Sequence, residues 1–227
     1  MKILAIETAT EACSAALLID GEIRLRYQIK ARGHSELILG MMDDLLAEAS
    51  LKPAQLDAMA FGRGPGSFTG VRIATGVIQG AAFGADLPVV PVSTLAALAQ
   101  RAFREKGERQ LLTAFDARMG ELYWAAYRVG EADLVSLVVE EEVATADRVR
   151  LPLAGDWYGV GSGWGVAAEV LAKRLGDDLL GYQAKMFCSA REIALLAAAD
   201  FERGLGVAPE LALPVYLRDE VAKKASR

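Results

Sequence analysis

At 227 residues the chain can form one large domain or two smaller lobes, and 53% apolar residues allow a substantial core. A formal net charge of −5 argues against an unaided grip on nucleic acid, and a single histidine, His34, removes any site built on two histidines of one chain. Two cysteines, Cys13 and Cys188, make neither a disulfide framework nor a metal pair, so a reducing cytoplasm is the default location. No apolar run reaches the ~18 residues of a membrane-spanning helix. Glu7 also interrupts the first apolar stretch too early for a signal peptide.

Residues 2–7 read as a buried strand, Cys13 to Ile19 as a second and Glu22 to Ile29 as a third, with Asp20-Gly21 as a hairpin turn. The first turn of this antiparallel meander carries Glu7, Thr8 and Thr10. An acid and hydroxyls there would suit a phosphate and its magnesium; ordinary hairpin polarity is the simpler account. Residues 31–36 lead into a helix capped by Ser35 or His34 and running to about Ala49. Its Leu37, Ile38, Met41, Met42, Leu45 and Leu46 make a wide apolar stripe, suited to a helix that touches a sheet on one side and something else on the other. His34 reads as a cap or partner contact, because a base needs a substrate pocket and a zinc site needs partner ligands.

Ala58-Met59-Ala60-Phe61 and the stretch from Gly62 to Gly76 read as strand, glycine-rich turn and helix. Free N–H groups at such a helix start favour an anion. Gly64-Pro65-Gly66 is therefore either a phosphate cradle or a turn that lets the helix pack closely on a sheet; the lysine of a P-loop is missing. Ser67 or Thr69 can cap the helix. From Gly70 to Ala85 the strongly polar side chains are Arg72, Thr75 and Gln79, and Gly76, Gly80 and Gly84 recur every fourth residue. An interior helical glycine costs about 1 kcal/mol against alanine, so three of them point to close backbone approach. The helix is either central to the fold or covered by a partner. Leu87 to Val92 reads as a strand, and Ser93 caps a helix from Thr94 to about Lys106. Lys106-Gly107-Glu108-Arg109 is the expected boundary between a first lobe, 1–106, that carries partner-binding helices and a second lobe, 107–218.

The second half repeats the opening layout: strands at Gln110–Asp116, Leu122–Val129 and Leu134 to about Val143, with Asp116 ending the first of them. Trp157 to Val160 is a short strand. Gly161-Ser162-Gly163-Trp164-Gly165 opens a helix to about Leu175, either as a phosphate or adenosine contact or as a loop. A strand is expected around Tyr182 to Met186. Ser189-Ala190-Arg191-Glu192 has the form of a capping box for a helix to about Arg203. The tail 219–227 is expected to be flexible.

Two lobes, each opening with three antiparallel strands followed by helix and parallel-strand units, resemble the α/β, two-lobed actin-like ATPase (ASKHA, ribonuclease H-like) fold of hexokinases and Hsp70 chaperones. Leu4-Ala5-Ile6-Glu7-Thr8-Ala9-Thr10, Gly33-His34-Ser35-Glu36 and the run from Gly62 to Ala74 are similar to the TsaB (YeaZ) family, as is the late Pro214-Val215-Tyr216-Leu217-Arg218. The resemblance is strong over the first lobe and rests on length and layout in the second. It implies a partner protein in threonylcarbamoyladenosine synthesis on transfer RNA, next to the anticodon. It further implies a heterodimer with a TsaD-like transferase through the first-lobe helices, a TsaE-like ATPase docking on the pair, and contact with tRNA only through the complex. TsaD carries two metal-binding histidines after the equivalent of Val92; here those positions hold Thr94 and Leu98. Neither can replace an imidazole. The resemblance therefore implies a catalytically silent scaffold or activator with no metal and no cofactor of its own.

On that reading the partner surface is expected at His34, Leu37, Ile38, Met41, Met42, Leu45, Arg72, Ala74, Thr75, Ile78 and Gly80. Weak candidates for nucleotide contact are Thr8, Thr10, Gly64, Gly66 and Asp116. The alternative is an ATP-binding phosphotransferase with Glu7, Thr8, Thr10 and Asp116 around magnesium. A peptidase using Ser67 comes last, because no histidine stands at a predictable distance to activate it. Pairing of the chain with itself when the partner is absent is a further expectation, since an apolar helix face is poorly soluble alone.

Overall fold

The computed structural model describes residues 1–30, 32–130 and 132–218; the tail 219–227 lies outside the described residues. The first half runs β1 (Lys2–Glu7), β2 (Ala12–Ile19), β3 (Glu22–Ile29), α1 (His34–Glu48), β4 (Ala58–Gly62), α2 (Phe68–Ala85), β5 (Val89–Val92) and α3 (Thr94–Lys106). The second half runs β6 (Gln110–Asp116), β7 (Glu121–Val129), β8 (Val135–Thr145), β9 (Trp157–Val160), α4 (Trp164–Leu175), β10 (Leu179–Gln183) and α5 (Ala190–Glu202).

The strands form two sheets of five, ordered β3-β2-β1-β4-β5 and β10-β9-β6-β7-β8. Read from the other edge, the second order matches the first. In each sheet a three-strand antiparallel meander is extended by two parallel strands. The register of β1 places Ala5 opposite Ala16 on one side and Ala60 on the other, in a strand buried on both faces. The echo between the halves is thus one of topology.

Alternation along the strands sends side chains to opposite faces. Leu4, Ile6, Leu17 and Phe61 meet α1 and α2 on one face of the first sheet. Ile3, Ala5, Ala58 and Val90 meet Ile193, Ala194 and Ala197 of α5 on the other. In the second sheet Leu111, Ala125 and Tyr127 pack against Leu95, Leu98 and Ala102 of α3, while Leu112, Ala114 and Trp124 pack against α4 through Trp164 and Leu171. The layers run α1/α2, first sheet, α5 and α3, second sheet, α4. The strands divide at Lys106–Arg109, but the helices do not: α5, encoded in the second half, covers the first sheet, and α3, encoded in the first half, covers the second.

The chain end also returns to the first sheet. Val207 exchanges both backbone hydrogen bonds with Val89, at 2.8 and 2.9 Å. Gln79 donates to Ala212 O at 3.2 Å, Val215 N donates to Arg63 O at 2.8 Å, and Arg72 Nε donates to the Tyr216 hydroxyl at 3.0 Å. Arg218 then reaches Glu121 at 2.5 Å.

Several local expectations are corrected. Gly33, in the left-handed region at φ 87°, is the N-cap of α1 and supplies no side-chain cap, in place of Ser35 or His34. β10 spans Leu179–Gln183 because that segment pairs with β9; Met186 is instead a core residue. The capping box at 189–192 is not reciprocal. Ser189 Oγ accepts from Arg191 N at 3.2 Å, while the buried Glu192 carboxylate turns to Arg104 at 2.7 Å.

Candidate partner face and inter-sheet cleft

A cleft of about 1170 Å³ lies between the β1–β2 turn, the β4–α2 loop and the β6–β7 turn, with Val215, Tyr216 and Arg218 of the returning chain end on its wall. Of the nucleotide-contact candidates, Thr10, Gly66 and Asp116 line it. Asp116 is already committed: its carboxylate accepts from Arg118 N at 2.8 Å and from the Arg118 guanidinium at 3.0 Å. Thr10 Oγ1 accepts from Ala12 N at 3.4 Å, within its own turn.

The glycine-rich turn is occupied by protein. A Cβ on Gly66 would stand 2.6 Å from Ala9 O, and one on Gly70 would stand 2.1 Å from Thr8 O. Ser67 N donates to Ala9 O at 2.8 Å, and the Thr8 hydroxyl donates to Gly70 O at 2.7 Å. The β1–β2 turn therefore sits where a phosphate would need room, and Thr8, fully buried, presents no hydroxyl to the cleft. Gly64 exchanges hydrogen bonds with Thr94: its N–H donates to Thr94 Oγ1, and its carbonyl accepts from Thr94 N, both at 3.0 Å. Ser67 caps α2 by accepting from Gly70 N at 3.4 Å. A turn built for close helix–sheet packing explains these glycines.

Glu7 does not face the cleft either. It is fully buried, and Oε1 accepts from Ala9 N at 2.5 Å. Oε2 has no partner and lies where a Gly62 Cβ would come within 1.8 Å. Burial pushes this carboxyl up to about 7, against the lowering effect of the backbone N–H groups of Ala9 and Thr8. An enclosed acid of this kind is not a magnesium ligand of the cleft. His34 is similarly spent: Nδ1 lies 3.1 Å from Thr8 O and Nε2 lies 2.6 Å from Lys30 O, in a buried side chain. It ties α1 to the first turn and is available neither as a base nor to a partner.

The expected partner surface divides by burial. His34, Ile38, Met42, Leu45, Ala74, Thr75 and Ile78 are buried in the chain's own core and are withdrawn as contact residues. Arg72 and Gly80 are exposed, and Leu37 and Met41 are half-buried. Gly76, Gly80 and Gly84 form an open row on the outer side of α2; a Cβ on any of them would meet nothing within 4 Å. Beside the row stand half-buried Ile73 and Val77 and the 78% exposed Phe83. At the start of α2 the Arg72 guanidinium lies 3.6 Å from the centre of the Phe68 ring, and Tyr216 packs on Phe68 with ring centres 5.9 Å apart. Sequence reasoning missed Phe68 and Tyr216, because their proximity depends on the return of the chain end.

The match to known proteins covers nearly the whole chain. A family model described as "TsaD: tRNA N6-adenosine threonylcarbamoyltransferase" matches residues 28–226. The "tRNA threonylcarbamoyladenosine biosynthesis protein TsaB" of Escherichia coli (strain K12) is 42% identical, with 99% of this chain and 97% of that protein covered. The chain belongs to the TsaB family. The TsaB protein of Haemophilus influenzae (strain ATCC 51907 / DSM 11121 / KW20 / Rd) is 38% identical over 99% of this chain and 96% of its own length. The solved structure "YeaZ from Pseudomonas aeruginosa" superposes with a TM-score of 0.89 at 45% identity, covering 95% of this chain and 99% of that one. The architecture is that of the actin-like class, as the two meanders led one to expect.

In this TsaB-family chain Thr94 and Leu98 are both used for structure. Thr94 is fully buried and bonds the glycine-rich turn, and Leu98 is fully buried in the core between α3 and the second sheet. Among the described residues no three histidine, cysteine, aspartate or glutamate side chains cluster in a way that could hold a metal ion. Among the same residues no helix is long and apolar enough to cross a membrane.

Proposed function

We propose that this chain is a non-catalytic, cytoplasmic subunit that supports a TsaD-like transferase in forming threonylcarbamoyladenosine on tRNA, and that the outer face of α1 and α2 is its docking surface. The observation that carries this reading is the open glycine row of α2. Three helix-destabilising residues stand where nothing among the described residues would meet an added Cβ, which makes sense if another backbone does. Leu37, Met41, Ile73, Val77 and Phe83 supply apolar area around the row, and Arg72 supplies a polar rim. The absence of catalysis is inferred from the commitments already made inside the chain: Thr94 and Leu98 to packing, Thr8 and Glu7 to the first turn, Asp116 to Arg118. A TsaE-like ATPase would join the assembled pair, and tRNA would be met through the complex.

Gly80→Glu tests the surface. A carboxylate there is harmless in the free chain, since its Cβ meets nothing, but in the pair it is buried without a partner. The expected result is a melting temperature no lower than that of the parent chain, loss of co-purification with the transferase, and loss of modification in a reconstituted assay. Full modification by a folded Gly80→Glu chain rejects the docking surface. Saturable ATP–magnesium binding to the free chain, read by calorimetry, counts against the non-catalytic reading.

A further inference from the structure

A second cavity, of about 580 Å³, lies away from the α1/α2 face, between the carboxyl ends of β4 and β5, strand β8 and helix α5. Its floor is a polar cluster. Glu141 of β8, 10% exposed, uses Oε1 to accept from the Tyr127 hydroxyl at 2.8 Å and from the Ser93 hydroxyl. Burial and the charge of Glu141 hold the Tyr127 phenol well above its ordinary range, so it remains a donor. The two hydroxyls fix the carboxylate and leave Oε2 facing the cavity. Arg63 Nη2 lies 3.8 Å from that oxygen, close enough for attraction and too far for a hydrogen bond. The Arg63 backbone is clamped at both ends, its N–H donating to Val92 O and its carbonyl accepting from Val215 N, each at 2.8 Å. Its guanidinium is rooted but open, 34% exposed. On the opposite wall Asp200 and Arg203 pair with each other. Val92, Ala96, Leu134 and Leu196 make the remaining wall apolar.

The charged groups of the lining, Arg63, Arg203, Glu141 and Asp200, sum to zero. A phosphate would meet two carboxylates, and a simple cation would meet two guanidinium groups. What fits is a small molecule carrying both charges and a short apolar tail. We propose that this cavity binds a free α-amino acid with an apolar side chain, its carboxylate on the Arg63 guanidinium and its ammonium on Glu141 Oε2. A fork-shaped guanidinium is suited to a carboxylate, and the apolar wall of Val92, Ala96, Leu134 and Leu196 is suited to an aliphatic side chain.

The test uses the isolated full chain, so it does not depend on the docking surface proposed above. Melting temperature and saturation-transfer NMR are measured against each of the protein amino acids, with isovalerate and isopentylamine as single-charge controls. Valine, leucine or isoleucine should raise the melting temperature and saturate. Each control should bind about tenfold more weakly or worse, as loss of a charged hydrogen bond dictates. Arg63→Met and Glu141→Gln should each weaken binding by a similar factor; the glutamine keeps the acceptor for Ser93 and Tyr127, and the melting temperature of each free variant reports its folding. If one variant fails to fold, the other and the controls still decide. No saturable binding of any amino acid to the wild-type chain overturns the proposal. So does undiminished binding in a folded variant, or equal binding of isovalerate or isopentylamine.

Discussion

At the scale of single residues, chemistry-bearing side chains near the first turn are spent on holding it. Glu7 makes this measurable. Its carboxyl ionises at about 7 in the native chain, against 4.5 ordinarily. Between those values the unfolded chain gives up a proton that the native chain keeps, so native stability falls as pH rises from 4.5 to about 7 and levels off above. Glu7→Gln should lack that slope. The two proteins should have matching unfolding free energies in urea near pH 4.5, with the variant ahead above pH 7 by on the order of 3 kcal/mol. Parallel curves across that range would show that burial does not set the ionisation of Glu7. The glycines divide as sharply. Gly70→Ala drives a methyl into Thr8 O and should cost about 1–3 kcal/mol in chemical unfolding. Gly76→Ala meets nothing and should stabilise the free chain by about 0.5–1 kcal/mol. Similar effects at both positions would contradict the packing described.

At the scale of elements, most strands and helices were legible in the sequence because their signals are local. Asp20-Gly21 set one hairpin, Ser67 and Ser93 capped α2 and α3, and alternating or 3.6-residue patterns marked the faces. What was not legible depends on partners distant in sequence. Glu192 looked like half of a capping box, yet its destination is Arg104, on a helix encoded far earlier. Ile38, Ala74 and Ile78 looked like contact residues because an apolar stripe does not say which part of it faces the chain's own sheet. The Arg104–Glu192 pair joins α3 to α5. Glu192 is 1% exposed and Arg104 is 41% exposed, so solvent screens one end. Arg104→Ala leaves a buried carboxylate alone and should cost about 1–3 kcal/mol, less than a wholly buried pair would. Adding Glu192→Gln should recover part of the loss in a double-mutant cycle. Strict additivity of the two substitutions would mean that the pair contributes nothing.

At the scale of the whole molecule, a chain with an apolar, glycine-lined helix face is expected to associate through that face when its partner is missing. Light scattering of the free chain should show a mass that rises with concentration, and Gly80→Glu should return it to monomer; a wild-type chain that stays monomeric at high concentration speaks against this. The candidate site was less legible than the fold for the same physical reason. A glycine-rich turn looks alike whether it wraps a phosphate or another turn, and only the position of Ala9 and Thr8 against Gly66 and Gly70 tells the two apart. The exchange of helices between the sheets has a consequence for how such a chain can be divided. Cut at residue 106, the first piece would keep its sheet but expose Ile3, Ala5 and Val90, whose cover of Ile193, Ala194 and Ala197 is encoded in the other piece. The second piece would lose Leu95, Leu98 and Ala102 in the same way. The two halves are similar in topology, yet each carries the other's lid, so neither can be cut away without uncovering the core of the one that remains.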